Sequence, residues 1–481
     1  MEQLLAALDS ALGTARTGGA DYADGRLVHL TAENLAVADG AVEELSGDES
    51  LGLGLRVLVD GAIGFAATHD LSRSAVDTTV SRALAIARSA GPRQRVRLAE
   101  RPPAQGSYRT PVVEDPATMS LEAKIDHLLA ADAAARAVPG VTGTRVTLGW
   151  RHEEKVYADT EGALIEQRLA AIGAGVEVYA QGPDDRQRRS YPEARGGQWH
   201  SGGFEFVRSL DLVDHATRCG EEAVALLSAP VCPAGERTIV LDPSQLYLQI
   251  HESCGHATEL DRILGDEAAY AGTSFLGPAD LGHYRYGSEL VTLVADATEP
   301  GGLGTVGWDD EGVPAQRTNL VTDGVLTGFL TSRASAAELG TTSGGAVRAE
   351  SWSRLPMIRM TNVSLLPVPG RSLDEIIADT DDGLYLVTSK SWSIDDRRWG
   401  FRFGTEVAYE IRDGRLGRMY KNPTYSGVTP RFWAGCDAVA DERSYQLFGT
   451  PNCAKGMPPQ AGFVGHGSSG ARFRGVAVGG A

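Results

Sequence analysis

Thr238-Ile239-Val240-Leu241-Asp242-Pro243-Ser244-Gln245-Leu246-Tyr247-Leu248-Gln249-Ile250-His251-Glu252-Ser253-Cys254-Gly255-His256 is the stretch on which the reading of this chain turns. Thr238 to Leu241 has the β-branched, apolar character of a short strand. Asp242 then stands where an N-cap belongs, and Pro243 takes the first helical position. Leu246, Ile250 and Cys254 recur every four residues and give the helix an apolar stripe. A strand feeding a well-started helix is rigid support for functional side chains.

That helix carries His251, Glu252 and His256. Two imidazoles can bind one divalent cation, and a carboxylate beside the first can work on a metal-activated water, which together are the parts of metal-assisted hydrolysis. The spacing is unusual. Histidines at i and i+4 lie about 40° apart around an α-helix, whereas i and i+5 lie about 140° apart. An ideal helix cannot aim both rings at one ion. A π-bulge inserts one residue, rotates the next turn back, and occurs mostly at functional sites. Gly255 is a weak helix former at the place where that distortion falls. The spacing therefore predicts a π-type irregularity if the pair binds metal. Otherwise these are two ordinary helix histidines, one half-buried and one exposed.

Working outward, 481 residues suffice for two or three cores, and 42% hydrophobic with 22% charged residues is ordinary for a soluble globular chain. A formal net charge of −18 argues against nucleic-acid partners and against anchoring on anionic lipid. No run of about 18 apolar residues exists, so no helix is expected to span a membrane. Met1 to Leu5 leads into an amphipathic helix through Leu4, Leu5, Leu8 and Leu12, unlike a signal peptide. Five scattered cysteines do not form a disulfide framework. The expected location is a reducing cytoplasm.

The first half alternates strands and helices. Strands are expected at Leu27 to Ala38 and at Leu51 to Ala67, the latter folded at Asp60-Gly61. Others are expected at Thr144 to Trp150, Lys155 to Ala158 and Ala163 to Ala180. Val76, Val80, Leu84 and Ala87 mark one helix, Leu121 to Ala133 another behind Ser120, and Asp211 to Leu227 a third. Runs of hairpins and helices indicate α+β rather than a doubly wound parallel sheet. Ser228 to Gly235, with two prolines and no charge, is the linker candidate. It divides an N-terminal mixed α/β domain with antiparallel strands and flanking helices (1–235) from a C-terminal domain (236–481). The latter reads as a curved sheet or irregular barrel packed on the metal helix. Asp323-Gly324 and Asp413-Gly414 are its hairpin turns, Leu384 to Thr388 and Phe401 to Ile411 further strands. Ser372 to Glu375 is a capping box, and Thr341 to Ala346 an expected mobile loop.

A catalytic zinc takes three protein ligands and leaves a fourth position for water. Cys453, in what reads as a tight Gly449 to Gly456 loop, has a modest lead as the third. Cys254, three residues from His251, and Glu259, three after His256, are rivals. His283 and His466 read as surface or structural histidines, and Asp395-Asp396-Arg397-Arg398 as a solvated turn. Trp352, Trp392, Trp399 and Trp433 read as core rather than channel lining.

His251 to Asp261, with Cys453 in its Gly/Pro-bounded setting, resembles the TldD/PmbA family of bacterial zinc metallopeptidases. Gly52 to Arg56, Gly64 to Ala66 and Leu355 to Asn362 extend the likeness over nearly the whole chain. With its full histidine motif the chain looks like the active TldD-type subunit. The resemblance implies Zn2+ held by His251, His256 and Cys453, with Glu252 as general base. Glu259 and Asp261 match acidic positions after the motif. Glu259 is given the role of orienting a histidine, and Asp261 that of a solvated carboxylate or helix-end partner of Arg262. The resemblance also implies unfolded or small peptides as substrates, held by strand addition, and pairing with a metal-free paralogous subunit or as a homodimer. The tail beyond Cys453, with His466 in a glycine-rich stretch, departs from the family pattern. Two other readings stay open at this point: a dipeptidyl-peptidase-like enzyme with a glutamate third ligand, and a non-catalytic peptide-binding scaffold.

Overall fold

Two Asp-Gly pairs fold the start of the chain. Asp39 and Gly40 lie at φ 50° and 87°, Asp60 and Gly61 at 52° and 82°, the doubly positive backbone that two-residue hairpins require. They turn Tyr22–Ala38, Ala41–Val59 and Ala62–Thr68 into an antiparallel meander. Only the second turn was expected. Residues 41–50 are almost wholly exposed and carry four acidic side chains, Glu43, Glu44, Asp48 and Glu49, rather than an apolar alternation, so nothing in their pattern announces a strand.

The structure, a computed structural model, describes residues 2–91, 95–194 and 196–479, and the backbone alone for residues 2–4. Met1 and the side chain of Leu4, part of the expected N-terminal helix, lie outside the described residues. The helix itself runs Glu2–Thr17.

The meander continues through Val141–Asp159 and Leu164–Gln181 into one sheet, with Gln105–Arg109 added in parallel at its edge. The two strands expected at 144–150 and 155–158 are one continuous strand. Helices Arg73–Ala90, Leu121–Arg136 and Leu212–Ser228 bury their apolar stripes on this sheet. The result is an α+β half, as the order of elements predicts.

In the second half, five strands close on themselves. Gly235–Leu241 pairs with Asp382–Ile394 and Ala471–Val478, and Thr424–Val428 joins Ala471–Val478 to Gly400–Arg412, which returns to Asp382–Ile394. Phe401, Phe403, Tyr425 and Phe473 fill this barrel. Asp323-Gly324 and Asp413-Gly414 make the expected turns, again with positive φ at both residues. Ser372 and Glu375 form the expected capping box. In the loop 341–346 the Gly344 N–H donates to Thr331 Oγ1 at 2.7 Å. Among the described residues no helix is long and apolar enough to cross a membrane.

Candidate metal centre

The strand Gly235–Leu241 delivers the helix Pro243–Ile250 into the core of the second half, where Leu246, Ile250 and Cys254 join the aromatic cluster. Asp242 caps it, accepting the Ser244 N–H at 2.9 Å. From His251 to Gly255 the helix widens into a π turn, and the His256 N–H donates to the His251 carbonyl five residues back. The rotation expected from the sequence thus occurs, and it sets the His251 and His256 rings 4.8 Å apart at 86°. Gly255 is needed for space as well as for backbone freedom: a Cβ there would sit 2.0 Å from Met360 Sδ.

Cys453 completes a cluster in which one ligand atom from each of the three residues lies within 4.8 Å of the others. Its Sγ is 3.5 Å from His256 Nε2. Cys453 lies on a strand, not in the expected loop: Gln446–Lys455 pairs with Gln460–Ser468, and a bulge between Thr450 and Cys453 re-aims the side chain. Burial works against its thiolate, but the His256 ring and the Arg359 guanidinium outweigh that and hold the thiol below its ordinary range. Cys254 is elsewhere, in the apolar core, where burial pushes its thiol up to about 12.

The far nitrogens of both imidazoles are engaged. His466 Nδ1 is 3.0 Å from the Val363 carbonyl and must donate to it, so His466 Nε2 accepts from His251 Nδ1 at 2.8 Å. This chain fixes the tautomer, leaving the His251 Nε2 lone pair for the cluster. His466 is thus buried against His251, not at the surface. Glu259 Oε2 accepts a hydrogen bond from His256 Nδ1–H at 3.0 Å, on the side of the ring away from Cys453, and is itself held by Arg262 at 3.2 Å and Lys455 at 3.4 Å. Burial holds the pKa of both His251 and His256 below the usual histidine range, which favours the neutral rings. Asp261 is not solvated: both its oxygens accept from the fully buried Lys455 Nζ at 2.8 Å, though it also takes the Arg262 backbone N–H.

Glu252 opens onto a cleft of about 430 Å³ that His251, His256 and Cys453 also line, a size suited to part of a peptide. Arg398 Nη1 reaches Glu252 Oε2 at 2.6 Å. Asp395 to Arg398 is therefore not a merely solvated turn: it places one cation over the carboxylate, with Arg398 in left-handed backbone at φ 62°. Of Trp352, Trp392, Trp399 and Trp433, just Trp433 is core, donating to Ser253 Oγ at 2.9 Å, whereas Trp392 lines the cleft and is 43% exposed.

Comparison with known proteins identifies the family. Residues 234–480 match the family model of the PmbA/TldA metallopeptidase C-terminal domain, 23–87 that of domain 1 and 114–229 that of the central domain. The chain belongs to the PmbA/TldD metallopeptidase family. A metalloprotease of Methanothermobacter thermautotrophicus is 31% identical over 96% of both chains. A zinc metalloprotease TldD homolog of Saccharolobus solfataricus is 28% identical over 41% of this chain and 42% of its own. TldE from Thermococcus kodakarensis has the same fold, with a TM-score of 0.78 and 17% identity over 98% of this chain and 100% of that one.

Sequence reasoning missed His466, Arg398 and Lys455 in this PmbA/TldD-family metallopeptidase. Cys453, Lys455 and His466 share one hairpin, so the ligand signal at Cys453 could have directed attention to its neighbours.

Proposed function

We propose that this metallopeptidase hydrolyses peptide bonds at a zinc centre held by His251, His256 and Cys453, with Glu252 as general base. The observation that carries this reading is the convergence of two neutral imidazoles and a thiolate-prone cysteine beside the Glu252 carboxylate, which Arg398 holds, in one cleft. Two nitrogens and one sulfur suit the borderline-soft zinc ion, and the name of the S. solfataricus relative includes zinc. Zinc, when bound, supplies Lewis acidity for the scissile carbonyl and lowers the pKa of a water toward about 7. Glu252 takes the proton of the attacking water and returns it to the leaving amine nitrogen. Arg398 fixes the direction of the Glu252 carboxylate. Glu259 and His466 fix the two imidazoles.

The substrates we infer are unfolded or small peptides in extended form. The strand Gly235–Leu241 covers only Leu384 to Leu386 of its neighbour, and Trp392 to Ile394 of that neighbour line the cleft, which supports backbone pairing with a peptide. Pairing with a metal-free paralogue, or with a second copy, is part of the same proposal and is supported by the shared fold with TldE. The test is Glu252→Gln. It should retain zinc and lose turnover of unstructured peptides by about 10²–10⁴-fold. Undiminished cleavage by that variant would remove Glu252 from the mechanism.

A further inference from the structure

Behind the Cys453 strand, between the two halves of the chain, lies a cavity of about 80 Å³. Arg151, Lys155, Arg348 and Arg359 line it, against only two carboxylates, Glu153 and Glu350. Glu153 is already shared by Arg151 at 2.7 Å and Lys155 at 3.2 Å, and Lys155 also reaches Asp310 at 2.7 Å. Glu350 turns to Arg354 at 3.8 Å. Arg348 and Arg359 are left over: among the described residues neither has a carboxylate within 4.0 Å.

Their hydrogen bonds go to carbonyls instead. Arg348 Nη2 donates to Met360, Arg359 Nη1 to Gln460 at 3.2 Å, and Arg359 Nη2 to Cys453 itself. The Nε–H groups of both are buried without a partner, and Arg359 is only 2% exposed. Burial, and then the neighbouring Arg359 charge, push the Arg348 guanidinium down to about 10. Asp310, Glu153 and the Cys453 thiol act on Arg348 only from farther off, and two neighbouring guanidinium groups with buried, unpaired N–H groups and no carboxylate in contact are expensive. A guanidinium fork is also the group best matched to carboxylate and phosphate oxygens.

We propose that this cavity is a binding site for a small oxyanion, held by Arg348 and Arg359. Its volume admits a phosphate or a carboxylate group and excludes a nucleotide. The oxyanion is either a free anion or the carboxylate of a peptide. Because Arg359 also holds the Cys453 carbonyl, the bound anion braces the strand that carries the thiol.

The test is thermal unfolding of the full chain in inorganic phosphate and in acetate, against chloride at equal ionic strength. The wild type should gain Tm saturably with the oxyanions. Arg348→Met should lose that gain and, in chloride, unfold no lower than the wild type, because a like-charge contact has been removed. Arg359→Lys keeps the charge without the fork and should show a reduced gain, which decides the matter if Arg348→Met does not fold. Anion binding at the metal centre would survive Arg348→Met. A full phosphate response in that variant, or a wild type no more sensitive to phosphate than to chloride, overturns the proposal. A short peptide acid that displaces phosphate where its amide does not identifies a peptide carboxylate as the ligand. Displacement by neither identifies a free anion.

Discussion

Replacing His466 by alanine should weaken zinc binding by one to two orders of magnitude without unfolding the chain. The His251 Nδ1 to His466 Nε2 bond is 2.8 Å long, between side chains that are 5% and 0% exposed. Removing the acceptor leaves a buried N–H unpaired, which costs about 1–3 kcal/mol. At 1.4 kcal/mol per decade that is about a 5- to 150-fold loss of affinity, the range found when partners of metal-bound histidines are removed. His251 also loses the contact that selects its tautomer, and that contact is fixed in turn by the Val363 carbonyl. The assay is competition against a chromophoric chelator at fixed pH, with circular dichroism to show that each variant is folded. His466→Gln is the informative control. Its amide oxygen can accept from His251 and its amide nitrogen can donate to Val363, so it should keep most of the affinity. A folded His466→Ala that binds zinc within about twofold of the wild type would refute the reasoning. So would a glutamine variant as weak as the alanine one.

Two further outcomes follow from the same geometry. Arg398→Gln leaves Glu252, whose side chain is 7% exposed, without its ion-pair partner; it should destabilise the chain toward the low end of about 3–5 kcal/mol. Glu252→Gln added to it should recover most of the loss, and urea denaturation of the four proteins would contradict the pairing if the two changes were additive. Gly255→Ala drives a Cβ into Met360 inside the π turn and should cost about 1–3 kcal/mol of stability in urea denaturation, whereas an unaffected variant would mean that the turn is looser than described.

What was legible in the sequence was local. Asp60-Gly61, Asp323-Gly324 and Asp413-Gly414 announce hairpins because their backbone demands are met by few other pairs. The five-residue spacing of His251 and His256 announces a π turn because no regular helix can converge them. Asp39-Gly40 carries the same turn signal, but the strand after it is solvent-facing and lacks an apolar alternation, so the pair stands without its context. The missed contacts are distant in the chain. His466 meets His251 across 215 residues, Lys455 meets Asp261 across 194, and Arg398 meets Glu252 across 146. A histidine in a glycine-rich strand or an arginine in a charged turn carries no local mark of such a partner. Burial corrected the reading of Asp261 for the same reason, since its counter-charge arrives from the C-terminal hairpin.

The central claim, a metal held by two histidines and a cysteine, is tested most directly by zinc content per chain in purified wild type and Cys453→Ala, measured side by side. The account predicts about one zinc in the wild type and a marked loss in a folded Cys453→Ala. Full zinc retained by that variant would contradict it and move the third ligand elsewhere. No zinc in either protein after zinc is supplied would contradict the metal centre itself.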